Sequence, residues 1–129
     1  MSGLVNERAG GQQIGQEPKQ LTVFLKVTER WKLATDQQVV LLGSPARSTF
    51  FKWKKDGGQL PNDTVERISH ILGIYKCLEI LFTDPKRADE WIRRPNDYFQ
   101  KRSALDRMLA GQMADIIDVR RYLDAQRGG

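Results

Sequence analysis

The sequence predicts an all-α fold, in which an N-terminal helix-turn-helix packs on a small C-terminal helical domain. Apolar residues recur at the three- and four-residue spacing of helices in most segments that contain them. The prolines at positions 45, 61, 85 and 95 each fall where a helix is expected to begin or to break. One run, residues 21–25, has the composition of a strand, but no partner strand is evident elsewhere. We therefore expect helices from about residue 19 onward.

The N-terminal segment, residues 1–18, contains four glycines and little apolar material, which predicts a disordered tail. The first helix follows Pro18 and should bury an apolar stripe made of Leu21, Phe24, Leu25, Thr28 and Trp31. A short second helix is expected from Thr35, which with Gln38 forms a capping-box pattern, and it should bury residues 39–42.

A turn and a third helix follow at once. Gly43 is expected to end the second helix, since glycine adopts the left-handed conformation without a Cβ clash. Ser44 is expected to cap the third helix, with Pro45 as its first residue, and the helix should stop at Asp56 before two glycines. Helix, glycine turn and capped helix follow the helix-turn-helix plan, so we assign residues 19–60 to a helix-turn-helix domain.

The third helix has an apolar face and a basic face. Ala46, Phe50 and Trp53 should pack on the preceding helices, whereas residues 44–55 contain four cations and no acid. Such a face suits DNA, because one side is anchored and the other supplies cations for phosphates and a fork for guanine. The candidate DNA-binding residues are Ser44, Arg47, Ser48, Phe51, Lys52, Lys54 and Lys55. Phe51 fits a thymine methyl or another protein equally well, and a purely structural helix pair remains the alternative.

The second half, residues 61–129, also reads as helical. A long helix is expected from Asn62 or Asp63, with Glu66 completing a capping box. Asp84 should cap a helix that starts at Pro85 and runs through Ile92, after which Pro95-Asn96 breaks the pattern. Ser103 should cap a short helix that ends before Gly111, and a last helix should span residues 112–126. We assign residues 61–129 to one C-terminal domain.

Composition argues against catalysis and against a membrane protein. The net charge is +5, and a single histidine and a single cysteine exclude a Cys/His zinc site. No phosphate loop, HExxH or GxSxG motif is present, so we expect no enzyme activity, no metal and no cofactor. No apolar run is long enough to span a membrane, and no signal-peptide pattern is visible, so we expect a cytoplasmic protein.

The order of motifs resembles that of the Xre/MbcA/ParS type of antitoxin. The stretch WKLATDQQVVLLGSPARSTFFKWKK is similar to its helix-turn-helix part. The following signature is a tryptophan-containing helix, then Pro-Asn, an aromatic and a leucine-bearing helix ending in glycine, carried here by Trp91, Pro95-Asn96, Phe99, Leu105 and Gly111. The resemblance covers residues 20–129 and departs at Ala104, where members often have proline.

This resemblance implies a protein partner, a RES-domain toxin that consumes or transfers from NAD⁺. It implies an antitoxin of a type II toxin–antitoxin system that blocks the toxin's active-site cleft. It also implies that the antitoxin binds operator DNA and so represses its own operon. The implied oligomeric state is a homodimer within a larger toxin–antitoxin assembly. The implied toxin-binding residues are Trp91, Asn96, Phe99, Arg120, Arg121, Leu123, Arg127 and Gly128. For the arginines the alternative is pairing with Asp115, Asp118 and Asp124 on the same helix. The competing function is a dimeric helix-turn-helix repressor without a toxin partner.

Overall fold

The computed structural model describes residues 17–128, and within them the chain is predominantly helical, which confirms the predicted all-α class. The helices are α1 (Lys19–Arg30), α2 (Thr35–Leu41), α3 (Arg47–Asp56), α4 (Asn62–Leu81), α5 (Pro85–Glu90), α6 (Ala104–Met108) and α7 (Met113–Gln126). A two-stranded antiparallel sheet pairs β1 (Pro95–Asn96) with β2 (Arg102–Ser103). The tail predicted for residues 1–18 lies outside the described residues except for its last two positions.

Helix α1 buries the stripe that its periodicity predicts. All five of its predicted positions are at most 7% exposed, from Leu21 to Trp31. Thr28 is fully buried and its hydroxyl donates to the Phe24 carbonyl, while the side-chain amide of Gln38 on α2 donates to the same hydroxyl at 2.9 Å. This pair satisfies two buried polar side chains and fixes α2 on α1.

Helices α2 and α3 follow in succession, but their first turns differ from the prediction. The predicted capping box of Thr35 and Gln38 is wrong, because the N-cap is Ala34, which has no side-chain acceptor, and only the Gln37 side chain bonds there, accepting from the Ala34 N–H at 2.8 Å. Ser44 does not cap α3: its φ is +59° and its N–H donates to the Val39 carbonyl, which closes α2. Ala46, with φ −56° and ψ 142°, has the extended backbone of an N-cap, so α3 begins at Arg47 and Ser44 and Pro45 stay in the turn.

Helix α4 is the centre of the fold, because it packs on α1, α5 and α7. Its buried residues include Ile68, Ile71, Ile74, Cys77 and Leu78. A helix with neighbours on several sides loses the clean one-sided stripe by which periodicity is recognised. Its predicted capping box is wrong, since Asp63 pairs with Arg67 instead and no side chain caps the helix.

The region between α5 and α7 contains the sheet that the sequence did not predict. Asp84 caps α5 as predicted, but α5 ends at Glu90 and residues 91–93 form a 3-10 turn. Asn96 accepts from the Tyr98 N–H at 2.9 Å, which starts a second 3-10 turn. Ser103 and Asp106 form the capping box of α6. Two-residue strands are too short for alternation to be visible in a sequence.

Arg67 connects three parts of the chain through one side chain that is only 9% exposed. Its guanidinium lies 3.0 Å from Asp63 and donates to the Gly111 carbonyl, between α6 and α7, at 3.1 Å. A Cβ at Gly43, whose φ is +98°, would lie 3.1 Å from its Nε. The turn between α2 and α3 therefore packs directly against this arginine.

We expect Arg67→Ala to lower the free energy of unfolding by about 2–3 kcal/mol, because a buried charge-assisted hydrogen bond is lost and the Gly111 carbonyl is left without its donor. Arg30→Ala is the matched control, because the Arg30 side chain is about half exposed and solvent screens its ion pair with Asp89, so the loss should be much smaller. Urea unfolding followed by circular dichroism measures both. Equal small losses in the two variants would contradict the bridging role of Arg67.

Candidate functional site

The exposed face of α3 carries cations arranged around an exposed aromatic ring. Phe51 is 44% exposed, and the Arg47 guanidinium and the Lys54 ammonium each lie 5.6 Å from its ring centre. The ring holds both cations by cation–π contacts, and edge-on packing against the buried Phe50 fixes the ring. We define the α3 surface as the exposed side chains of Arg47, Ser48, Phe51, Lys52, Lys54 and Lys55.

The α3 surface is connected to α2 by an ion pair. Asp36, in the first turn of α2, binds the Arg47 guanidinium, so Arg47 is held from two directions by Asp36 and Phe51. The structure thus brings together six of the seven candidate DNA-binding residues. Ser44 lies in the turn before them and does not cap α3, which begins three residues later.

A second charged surface lies at the end of α7. We define the α7 surface as Arg120, Asp124, Arg127 and Gly128, which line an open cavity of about 430 Å³. Arg120 lies flat across α4, because Gly73 leaves room for it: a Cβ there would be 2.6 Å from the guanidinium carbon. Its Nη1 is 3.1 Å from His70 Nδ1. The neutral ring can accept this hydrogen bond, which holds Arg120 in place.

Arg127 is held by a different pair of groups, although its side chain is 44% exposed. It lies 3.9 Å from Asp124 and donates to the Cys77 sulfur at 3.7 Å, while the Cys77 thiol donates to Asp124 at 3.1 Å. The predicted pairing within α7 is thus present for Arg127 but not for Arg120. Asp115 and Asp118 pair instead with Arg107 on α6. Arg121 is exposed and has no ion pair within residues 17–128.

The Cys77 thiol is expected to be unreactive in the folded protein. Burial, together with the hydrogen bond that it donates to Asp124, raises its pKa, so the thiolate is scarce at neutral pH. A disulfide reagent at pH 8 should react at least about a hundredfold faster in concentrated urea than in buffer. Because the folded state holds the proton more tightly, stability should fall as the pH rises through this raised pKa. Equal reaction rates in urea and buffer would contradict this arrangement.

Four aromatic rings join α5, the sheet and α7 into one cluster. Trp91 stacks on Tyr122 with ring centres 6.1 Å apart, and Tyr122 also contacts Tyr98 at 4.6 Å and Phe99 at 5.6 Å. Tyr98 is 53% exposed and donates to Asp118, and this hydrogen bond raises the Tyr98 pKa. Sequence reasoning singled out Trp91 and Phe99 but missed both tyrosines, although Tyr122 lies at helical spacing from Asp118.

The candidate toxin-binding residues differ in their access to a partner. Phe99 and Leu123 are buried, so they pack beneath the exposed residues and are not themselves accessible to a partner. Trp91, Asn96 and Arg120 are half-buried. The exposed members are Arg121, Arg127 and Gly128. Within residues 17–128 no group of three or more histidine, cysteine, aspartate or glutamate side chains is placed to hold a metal ion.

No helix within residues 17–128 has the length and apolar character needed to cross a membrane.

Residues 77–129 match the family described as the antitoxin Xre/MbcA/ParS C-terminal toxin-binding domain. The match includes the whole α7 surface and the whole aromatic cluster. The chain is also similar to the uncharacterized protein y4oB of Sinorhizobium fredii (strain NBRC 101917 / NGR234), with 64% identity over 112 residues, 87% of each chain. The chain therefore belongs to the same protein family as y4oB.

Proposed function

We propose that this protein is the antitoxin of a type II toxin–antitoxin system, that its toxin is a RES-domain protein acting on NAD⁺, and that it represses its own operon. The observation that carries the proposal is the toxin-binding family of residues 77–129, in a chain whose α3 surface is strongly cationic. An antitoxin is a regulatory protein that binds other molecules, and the α3 surface and the α7 surface are the two proposed binding surfaces of this chain.

Neutralisation is assigned to the α7 surface together with Arg121. Arg127 and Gly128 stand at the exposed end of the last helix, where they can enter a cleft in a partner. A RES toxin's cleft accepts a nucleotide, and arginine forms charge-assisted hydrogen bonds with acidic and carbonyl groups that border such a pocket. Arg120 and Arg127 are already oriented by His70 and Asp124, so little side-chain entropy is lost on binding.

Operon repression is assigned to the α3 surface. Arg47, held by Asp36 and Phe51, is the residue proposed to read guanine, and the lysines are proposed to contact phosphates. A homodimer would place two copies of α3 on neighbouring half-sites. The toxin and the DNA are then bound by different helices, α7 and α3.

The experiment that tests this function is rescue of bacterial growth. The gene beside this one is expected to encode a RES-domain protein whose induction alone arrests growth and depletes NAD⁺, and co-expression of the present chain should restore both. The purified pair should elute as one complex. If the chain binds its upstream DNA but neither rescues growth nor binds the neighbouring product, it is a repressor without a toxin partner.

A further inference from the structure

Exposed cations also occur outside the α3 surface, where the loop after β1 meets β2. Lys101 and Arg102 are exposed and have no ion pair within residues 17–128. They line an open cavity of about 430 Å³, together with Gln37 from the first turn of α2. The sheet therefore places two cations beside the helix that precedes α3 in the chain.

The other charged groups of this cavity are already engaged. Arg93 donates to the carbonyl oxygens of Trp31 and Lys32, where it closes α1. The Asp106 carboxylate accepts from the Ser103 N–H in the α6 capping box. Lys101 and Arg102 are consequently the two charged side chains of this cavity that have no hydrogen bond or ion pair within residues 17–128, and both are positive.

The first turn of α2 lies between this cavity and the α3 surface. Gln37 lines the cavity, its neighbour Asp36 binds Arg47, and Arg47 and Lys54 share the Phe51 ring. The two sheet cations are thus one helical turn of α2 away from the α3 surface. A DNA duplex presents closely spaced phosphates along its length, and a row of cations from several elements is the complement of such a backbone.

We infer that Lys101 and Arg102 contact the phosphate backbone of the same DNA duplex that the α3 surface binds. This inference rests on the proposed DNA binding and extends it, because it places part of the DNA interface within the toxin-binding domain. The two surfaces for DNA and toxin would then share one rigid unit, since β2 leads directly into α6 and α6 packs on α7.

The test measures DNA affinity at several salt concentrations. The probe is a labelled duplex of the sequence immediately upstream of the gene, and the variant is Lys101→Asn/Arg102→Gln in the full chain. Asparagine is chosen because the backbone at Lys101 has a φ of +69°, which asparagine tolerates. Lys86→Gln/Arg87→Gln, exposed on α5, removes the same number of charges and is the matched control.

We expect the Lys101→Asn/Arg102→Gln variant to reduce the slope of log affinity against log salt by about two, and to lower affinity at 0.1 M salt by about 25- to 100-fold. The control should change affinity less than about threefold. Circular dichroism and the melting temperature check the fold of each variant, and Arg102→Gln alone should lower the slope by about one if the double variant is unstable.

Three results would overturn the inference. An unchanged slope in a variant that folds means that the two residues touch no phosphate. An equal loss in the α5 control means that only net charge matters. A loss of toxin affinity with unaltered DNA binding assigns this face to the toxin. If wild-type protein does not bind the duplex at all, or if Arg47→Ala and Lys54→Ala have no effect, the proposed DNA-binding function itself fails.

Discussion

Replacing Arg121 and Arg127 together by alanine is expected to abolish neutralisation of the RES-domain toxin. Both side chains are exposed, and Arg127 stands at the last turn of α7, where Gly128 follows with a φ of +89°. Truncating an interfacial charge pair that becomes desolvated costs about 2–5 kcal/mol. The double variant should therefore bind the toxin at least about a thousandfold more weakly and should fail to restore growth.

Point variants are preferable to truncation here because α7 is part of the core. Removing residues from Arg120 onward would also remove Leu123, which is 1% exposed, and Tyr122 of the aromatic cluster. Gly73→Ala offers a complementary change: alanine suits a helix interior, but its Cβ displaces the Arg120 guanidinium. It should weaken toxin binding while the protein remains folded.

The control for this prediction is Lys52→Ala/Lys55→Ala on the α3 surface. These residues are exposed and lie outside residues 77–129, so the variant should neutralise the proposed toxin as well as wild type does. Isothermal titration calorimetry with the purified toxin measures the affinities, and growth rescue measures the consequence. Wild-type affinity in a folded Arg121→Ala/Arg127→Ala variant would show that the arginines do not enter the cleft.

The α3 surface should lose sequence preference when Arg47 is replaced and lose general affinity when Lys54 is replaced. Arg47→Ala is expected to cost about 1–3 kcal/mol on the operator, and much less on random DNA, if the guanidinium binds guanine in a bidentate manner. Lys54→Ala should weaken binding to both sequences evenly and reduce the salt slope by about one. Fluorescence anisotropy on operator and random duplexes distinguishes the two effects.

Asp36→Asn is the informative companion to Arg47→Ala. Removing the carboxylate releases Arg47 from its ion pair but leaves its contact with the Phe51 ring. If Asp36 orients Arg47, the variant should bind random DNA more tightly, because one negative charge is lost, and should discriminate less between sequences. Equal, sequence-independent losses from Arg47→Ala and Lys54→Ala would assign Arg47 to the phosphate backbone alone.

The sequence allowed the helices to be predicted wherever one side faced the core. The α1 stripe from Leu21 to Trp31 and the cap residues Asp84 and Ser103 agree with the structure, because spacing and capping are local properties. The start of α3 was misplaced because Ser44 and Pro45 have the composition of a cap but lie in a turn. No local signal distinguishes the two arrangements.

The candidate site was less accessible to prediction because its geometry depends on contacts distant in sequence. Arg120 meets His70, and Arg127 meets Cys77, each across 50 residues between α4 and α7. The spacing of His70 and Cys77 by seven residues placed them on related faces of α4, but their partners became visible only in the folded chain. Tyr98 and Tyr122 were missed for the same reason.

Binding of NAD⁺ to the toxin in the presence of this protein tests the central claim most directly, namely that the end of α7 closes the toxin's cofactor cleft. Calorimetric titration of NAD⁺ into the preformed complex should show no binding, whereas titration into the toxin alone should. The complex with the Arg121→Ala/Arg127→Ala variant, held together at high protein concentration, should regain it. NAD⁺ binding to the wild-type complex as tight as to the free toxin would contradict occlusion.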